Sequence, residues 1–153
     1  MSPSAVSNSA CLISLSRIGR LSLLPQLFGE VLIPPAVAHE TNLHADWLRV
    51  QSPRNESLLR LLRAVVDAGE AEAIALASET EHLLIIDDRK GRLWAQRVGV
   101  PVIGTIGVIV RAKREGYLES VRTALEELQS VGFYLTPHLM DEALRLVGES
   151  TFD

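Results

Sequence analysis

The 153 residues carry 15 Lys and Arg against 19 Asp and Glu, a net charge of −4, with 47% hydrophobic and 22% charged residues. That length supports one globular domain with its own core, and the composition excludes a disordered tail or a fibrous repeat. The acidic balance excludes a protein that coats nucleic acid by bulk positive charge, while the single Cys11 excludes an intrachain disulfide or a cysteine-built zinc cluster.

The first twenty residues lack a basic start, and Asn8, Ser9, Ser14 and Ser16 interrupt their apolar run. Neither a signal peptide nor a membrane span is expected, and with one cysteine the expected location is cytoplasmic. AVSNS predicts an opening strand that stops at Asn8. In LISLSRIGRLSLLPQLFG, Leu12, Leu15, Ile18, Leu21 and Leu24 recur at helical spacing, and Gly19 and Pro25 predict a broken helix pair. EVLIPP predicts a short strand closed by two prolines that can start the helix PAVAHETNLH.

WLRVQS predicts a short extra strand. From Asn55, ESLLRLLRAVV predicts an amphipathic helix ending before Gly69, and GEAEAIALASE a second, Ala-rich one. The continuous apolar run HLLIID predicts a parallel strand buried on both faces, DRKGRLWAQRVG the following helix, and VPVIG a shorter strand of the same buried kind. TIGVIVRAKREGY, ESVRTALEELQSVG and TPHLMDEALRLVGE predict three helices punctuated by Gly116, Gly132 and Pro137. Strands alternating with helices predict an α/β fold: a parallel sheet covered on both sides, with ligands beyond the carboxyl ends of its strands. We expect a single domain over 1–153, with about 117–153 as its C-terminal helical extension.

Asp87 and Asp88 end the clearest strand. Adjacent carboxylates repel, and either a cation or the amides of the following helix can relieve them; helix capping is the plain alternative. Glu70 shares a helical face with Ile74 and Ala77, whereas Glu72 lies nearly opposite. A carboxylate at the edge of an apolar face needs a partner, either a metal or a capping box in which Asp67 is the cap. Glu40 by itself reads as a solvated helical residue. His39 and His44 flank it without the H-E-x-x-H spacing of a zinc site, and with His82 and His138 they read as surface residues. Arg89, Lys90 and Arg92 follow the aspartate pair, and Arg111, Lys113 and Arg114 lie on a later helix; each cluster could hold phosphate or form a solvated face.

Five strings, SNSACLISLSRIGRLSLLPQLFG, VLIPPAVAHE, GEAEAIALA, LLIIDDRKGR and VPVIGTIGVIVRAKREG, resemble in this order the signature segments of a PIN-like family of prokaryotic proteins related to toxin nucleases. The resemblance implies a three-layer α/β/α sandwich with a central parallel sheet. It also implies an acidic cluster that holds Mg²⁺ or Mn²⁺ for cleaving RNA. The family's first acid falls on Asn8, its second on Glu40 and its third on Glu70. Its last falls on Asp88 by spacing, with Asp87 left open. Ser9 stands for the small hydroxyl residue after the first acid, and Arg89, Lys90 and Arg92 would position the RNA backbone.

Asparagine at position 8 departs from the usual aspartate and resembles a branch that carries Asn there. It offers a carbonyl oxygen to a hard cation but removes a charge and cannot act as a base. Cys11 stands where the motif has Pro and reads as a small buried residue. The implied function is a metal-dependent ribonuclease, the toxin half of a toxin and antitoxin pair. The alternative is a catalytically weak RNA-binding or regulatory module. RNA, a small antitoxin protein and a second copy of the chain are the expected partners, and no membrane.

Overall fold

The computed structural model describes residues 4–150. Its strands are β1 (Ala5–Ser7), β2 (Val31–Ile33), β3 (Leu48–Val50), β4 (Leu83–Ile85) and β5 (Val102–Ile103). The helices are α1 (Ser9–Arg17), α2 (Leu23–Phe28), α3 (Pro35–Thr41), α4 (Glu56–Arg63), α5 (Ala68–Thr80), α6 (Arg89–Arg97), α7 (Thr105–Arg114), α8 (Val121–Ser130) and α9 (Pro137–Leu146). The strands form one parallel sheet in the order β3-β2-β1-β4-β5. Because adjacent strands run parallel, every connection between them must cross a face of the sheet, and helices cover both faces.

Period-two alternation sorts the strand side chains into two cores. Ala5, Val31, Ile33 and Ile85 face a layer that includes Leu12, Leu15, Leu24, Phe28, Val108 and Leu125. Val6, Leu32, Leu84 and Ile86 face a second layer built on α4, α5 and α6, with Leu62, Ile74 and Ala95. Two apolar faces explain why β2 and β4 are unbroken hydrophobic runs. The same sandwiching buries α5 from Ala71 and Ala73 through Ala77, where small alanines let it approach the sheet closely. The three-layer α/β/α sandwich expected from the sequence is the architecture observed.

Three details differ from the expectations, the first being that α4 ends at Arg63 rather than running on through Val66. β5 is an edge strand, so Val102 and Ile103 are half-buried rather than enclosed. Helix α3 stops at Thr41 rather than running through Leu43 and His44, because Asn42 takes a left-handed conformation, φ 51°, that closes the helix with its N–H on Ala38 O. Helices α8 and α9 pack on α7 and on each other within the first core. Glu149 ties the chain end back by accepting the Val121 and Arg122 N–H groups at 2.6 and 3.1 Å. Of the expected domain span 1–153, residues 1–3 and 151–153 lie outside the described residues. No helix among the described residues is long and apolar enough to cross a membrane.

Candidate active site

From β1 the chain moves to β2 and β3 on one side of the sheet, while β4 and β5 lie on the other. The crevice between the carboxyl ends of β1 and β4 is therefore the topological switch point, where open α/β sheets receive ligands. Asn8 leaves β1 there, and its N–H donates to Ile85 O of β4 at 2.9 Å. Its side chain occupies the N-cap position of α1 without making a capping bond. Instead, the Asn8 amide oxygen lies over Gly69, 3.8 Å from where a Cβ would stand.

Glu70 sits at the third position of α5 and completes the capping box with Asp67. The Glu70 N–H donates to Asp67 Oδ1 at 2.8 Å, and the Asp67 N–H to Glu70 Oε1 at 3.4 Å. Capping alone does not account for it. The residue is buried, and its carboxyl stands beside that of Asp88, the two flanking the position a Cβ would take at Gly91. Burial first, then the charges of Asp67 and Asp88, push the Glu70 carboxyl up to about 7. Asp88 caps α6 by accepting the Gly91 N–H at 2.8 Å. Gly91 leaves the room for this pair: a Cβ there would stand 3.5 Å from both Asp88 Oδ2 and Glu70 Cδ, and 2.6 Å from Ile86 Cδ1.

Asp87 faces the other way. Its two oxygens accept from Thr105 N at 2.7 Å and Thr105 Oγ1 at 2.5 Å, joining the end of β4 to the start of α7. The adjacent aspartates are thus separated in role: Asp88 lies against Glu70, while Asp87 is engaged by a fully buried threonine. Cys11 lies near this clamp. Burial, with Asp87's charge adding to it and a Thr105 hydrogen bond opposing, pushes its thiol up to about 12, so it carries no thiolate at neutral pH.

Ser9 is buried, and its hydroxyl has no hydrogen-bond partner among the described residues. Glu40 is exposed on the last turn of α3. Helix α3 packs against α1 and α5, but no hydrogen bond or ion pair joins Glu40 to Glu70 or Asp88 among the described residues. No three His, Cys, Asp or Glu side chains among the described residues converge to hold an ion. Glu72, on the opposite side of α5 from Glu70, accepts the Ala36 N–H at 3.1 Å and anchors the start of α3.

Of the basic residues, Arg89 and Lys90 are exposed on the first turn of α6 with no ion pair among the described residues. Arg92 turns inward, donating to Ile86 O at 3.2 Å. The later cluster is engaged structurally: Arg111 pairs with Glu115 at 2.9 Å and stacks over Phe28, and Arg114 donates to Leu146 O. His39, His44 and His138 are exposed, and His82 is half-buried at the amino end of β4. Sequence reading missed Thr105 as the partner of Asp87, and treated Asp67 only as a cap although its charge acts on Glu70. A threonine opening the helix after a strand was the available signal for the first.

A comparison with characterised proteins finds no match. A family model described as a PIN domain matches residues 4–149, a span that includes every strand and every residue of the crevice. With the parallel sheet and the acidic crevice at its switch point, this near-complete match places the chain in the PIN domain family.

Proposed function

We propose that this PIN domain is a metal-dependent ribonuclease whose cation is held among Asn8, Glu70 and Asp88. The observation that carries the reading is the convergence of the Glu70 and Asp88 carboxyls on Gly91 at the switch point, with Glu70 buried. Two carboxylates cannot both ionise side by side at low cost, so the pair either keeps a proton or takes a cation.

The donor set fits a hard divalent ion. It offers two carboxyls, the uncommitted Asn8 amide oxygen and, one residue on, a buried Ser9 hydroxyl without a protein partner. With fewer than three converging acidic side chains, Mg²⁺ or Mn²⁺ would keep several of its waters, as Mg²⁺ commonly does. Such an ion would lower the pKa of a bound water and offset charge on the phosphodiester. Around it, Glu70 and Asp88 orient the attacking water, and Arg89 and Lys90 hold the phosphate backbone, with Arg92 behind them. Glu40, exposed on a helix packed against α5, would join only through water, and Asp87 acts by fixing the strand end that carries Asp88.

The site and the family's nuclease type support hydrolysis of RNA. The placement as toxin of a toxin and antitoxin pair, with a small antitoxin partner and a homodimeric state, rests on the sequence resemblance. The test is cleavage of single-stranded RNA in Mg²⁺ or Mn²⁺ by the wild type, Glu70→Gln and Asp88→Asn. Loss of about 100-fold or more in rate is expected for each variant, the scale seen when a preorganised charge is removed from an active site. Equal rates in all three would end the proposal.

A second reading, a catalytically weak RNA-binding or regulatory module, is favoured by Asn8, which removes one charge from the crevice, and by the solvent-facing Glu40. Robust metal-dependent turnover by the purified wild type would remove it.

A further inference from the structure

A groove of about 1310 Å³ opens from Asp88 and runs between α6, β5 and the start of α7 to the connection between α8 and α9. Its floor is apolar, formed by Leu93, Val102, Ile103 and Ile106. Of the proposed cleavage centre the groove reaches Asp88, beside Arg89 and Lys90, and it is also lined by Phe133 and Tyr134. Tyr134 is 82% exposed, far beyond what an aromatic ring ordinarily shows to water.

The segment that bears Tyr134 is anchored on either side. The Phe133 N–H donates to Leu128 O at 3.0 Å, Leu135 is buried, and Gln129 Nε2 donates to Leu135 O at 3.4 Å. Thr136 then caps α9 through the Leu139 N–H at 3.1 Å. Between these ties, the ring is held out over the groove rather than left on a loose loop.

Three properties have to be matched by one occupant. It presents a phosphate at Asp88, carries negative charge past Arg89 and Lys90, which have no ion pair among the described residues, and offers a flat face to an aromatic ring. A single-stranded polynucleotide has all three: its phosphates repeat along the chain, and its unstacked bases bind aromatic side chains whatever their identity. A duplex would keep its bases stacked on one another. An amphipathic peptide helix would match the apolar floor, but nothing in it has to continue into a phosphodiester site.

We propose that this groove is the path of single-stranded RNA into the site, with Tyr134 as the stacking platform for one base and Arg89 and Lys90 as holds for the phosphates between that base and the scissile bond. The proposal rests on the nuclease reading for its direction along the groove. It goes beyond it in naming the strand's course and the residue that grips a base away from the reacting atoms.

The test uses an octamer of oligouridylate carrying 5-iodouridine, bound to the full chain in EDTA so that no cleavage occurs. Irradiation is expected to attach the RNA at Tyr134, identified by mass spectrometry. Fluorescence anisotropy is expected to show about tenfold weaker binding by Tyr134→Ala, with Tyr134→Phe close to the wild type. With Mn²⁺ added, Tyr134→Ala is expected to lose about tenfold in kcat/KM on the octamer while hydrolysing bis(p-nitrophenyl) phosphate, too short to reach the ring, at the wild-type rate.

Attachment elsewhere, together with unchanged binding by Tyr134→Ala, overturns the proposal. So does a dimer that Tyr134→Ala splits while RNA attaches nowhere in the groove, since the occupant would then be a second copy. The two readings fail separately. RNA attached at Tyr134 in a wild type that cleaves nothing leaves the groove and removes the nuclease, whereas cleavage indifferent to Tyr134 leaves the nuclease and removes the groove.

Discussion

Glu70 carries the most information of any described residue because two neighbours, Asp67 and Asp88, act on one carboxyl. Its backbone belongs to the capping box, one oxygen returns to the Asp67 N–H, and the carboxyl stands beside that of Asp88. In the metal-free protein its raised value, about 7 against an ordinary 4.5, means that the folded state binds a proton the unfolded chain has released. The stability this contributes is fully present below the unfolded value and is lost as pH rises through the folded one. Urea unfolding in EDTA should therefore show a loss of about 1–2 kcal/mol between pH 5 and pH 8, at 1.36 kcal/mol per unit and discounted for the shared proton. Glu70→Gln should flatten that slope. Parallel profiles for the two proteins would show that the carboxyl pair does not carry the proton.

At the level of elements, the work is done where a strand ends and a helix begins. Strand β4 delivers two aspartates in sequence, and each secures a different helix: Asp88 the first turn of α6, Asp87 the first turn of α7. The Asp87 and Thr105 clamp fixes the direction in which the chain leaves β4, and so where Asp88 can point. Thr105→Val leaves Asp87 Oδ2 without its hydroxyl donor and is expected to lower unfolding stability by about 1–2 kcal/mol, with Thr105→Ser recovering most of the loss. An unchanged stability in Thr105→Val would mean that the clamp is idle.

This level was also where the sequence was most readable. The runs AVS and VLI announce short strands and LLI a buried parallel one, and Asn55, Asp67 and Asp88 each sit as cap residues before the helices they start. What the local pattern could not carry was long-range. VPVIG looks as buried as its neighbours, and only the strand order makes it an edge. Asp87 and Asp88 look equivalent until Thr105, eighteen positions on, engages one of them. Tyr134 gives no periodic signal at all, since a loop aromatic acquires meaning only from the groove it overhangs.

For the whole molecule, the order β3-β2-β1-β4-β5 converts three distant stretches into one crevice. Asn8 follows β1, Asp88 follows β4, and Glu70 rides on the helix pressed against both strands. The chain's net charge of −4 then has a local meaning, since acid gathers at the crevice while Arg89 and Lys90 beside it have no ion pair among the described residues. A protein of this charge balance can attract phosphate only near such cations or a bound metal. The resemblance to PIN proteins proposes Asn8, Glu40, Glu70, Asp87 and Asp88 as the site residues. The side-chain contacts divided them into Glu70 and Asp88 side by side, Asn8 uncommitted nearby, Asp87 engaged elsewhere and Glu40 in solvent.

Everything functional in this account depends on that crevice preferring a divalent cation to a proton, and calorimetric titration with Mn²⁺ reads it directly. The wild type should bind with a Kd that Glu70→Gln and Asp88→Asn each weaken by about tenfold or more, the range found when a group supporting a metal site is lost. Asn8→Asp, which restores a charge, should bind more tightly than the wild type. Indistinguishable Mn²⁺ binding by all four proteins would contradict the account.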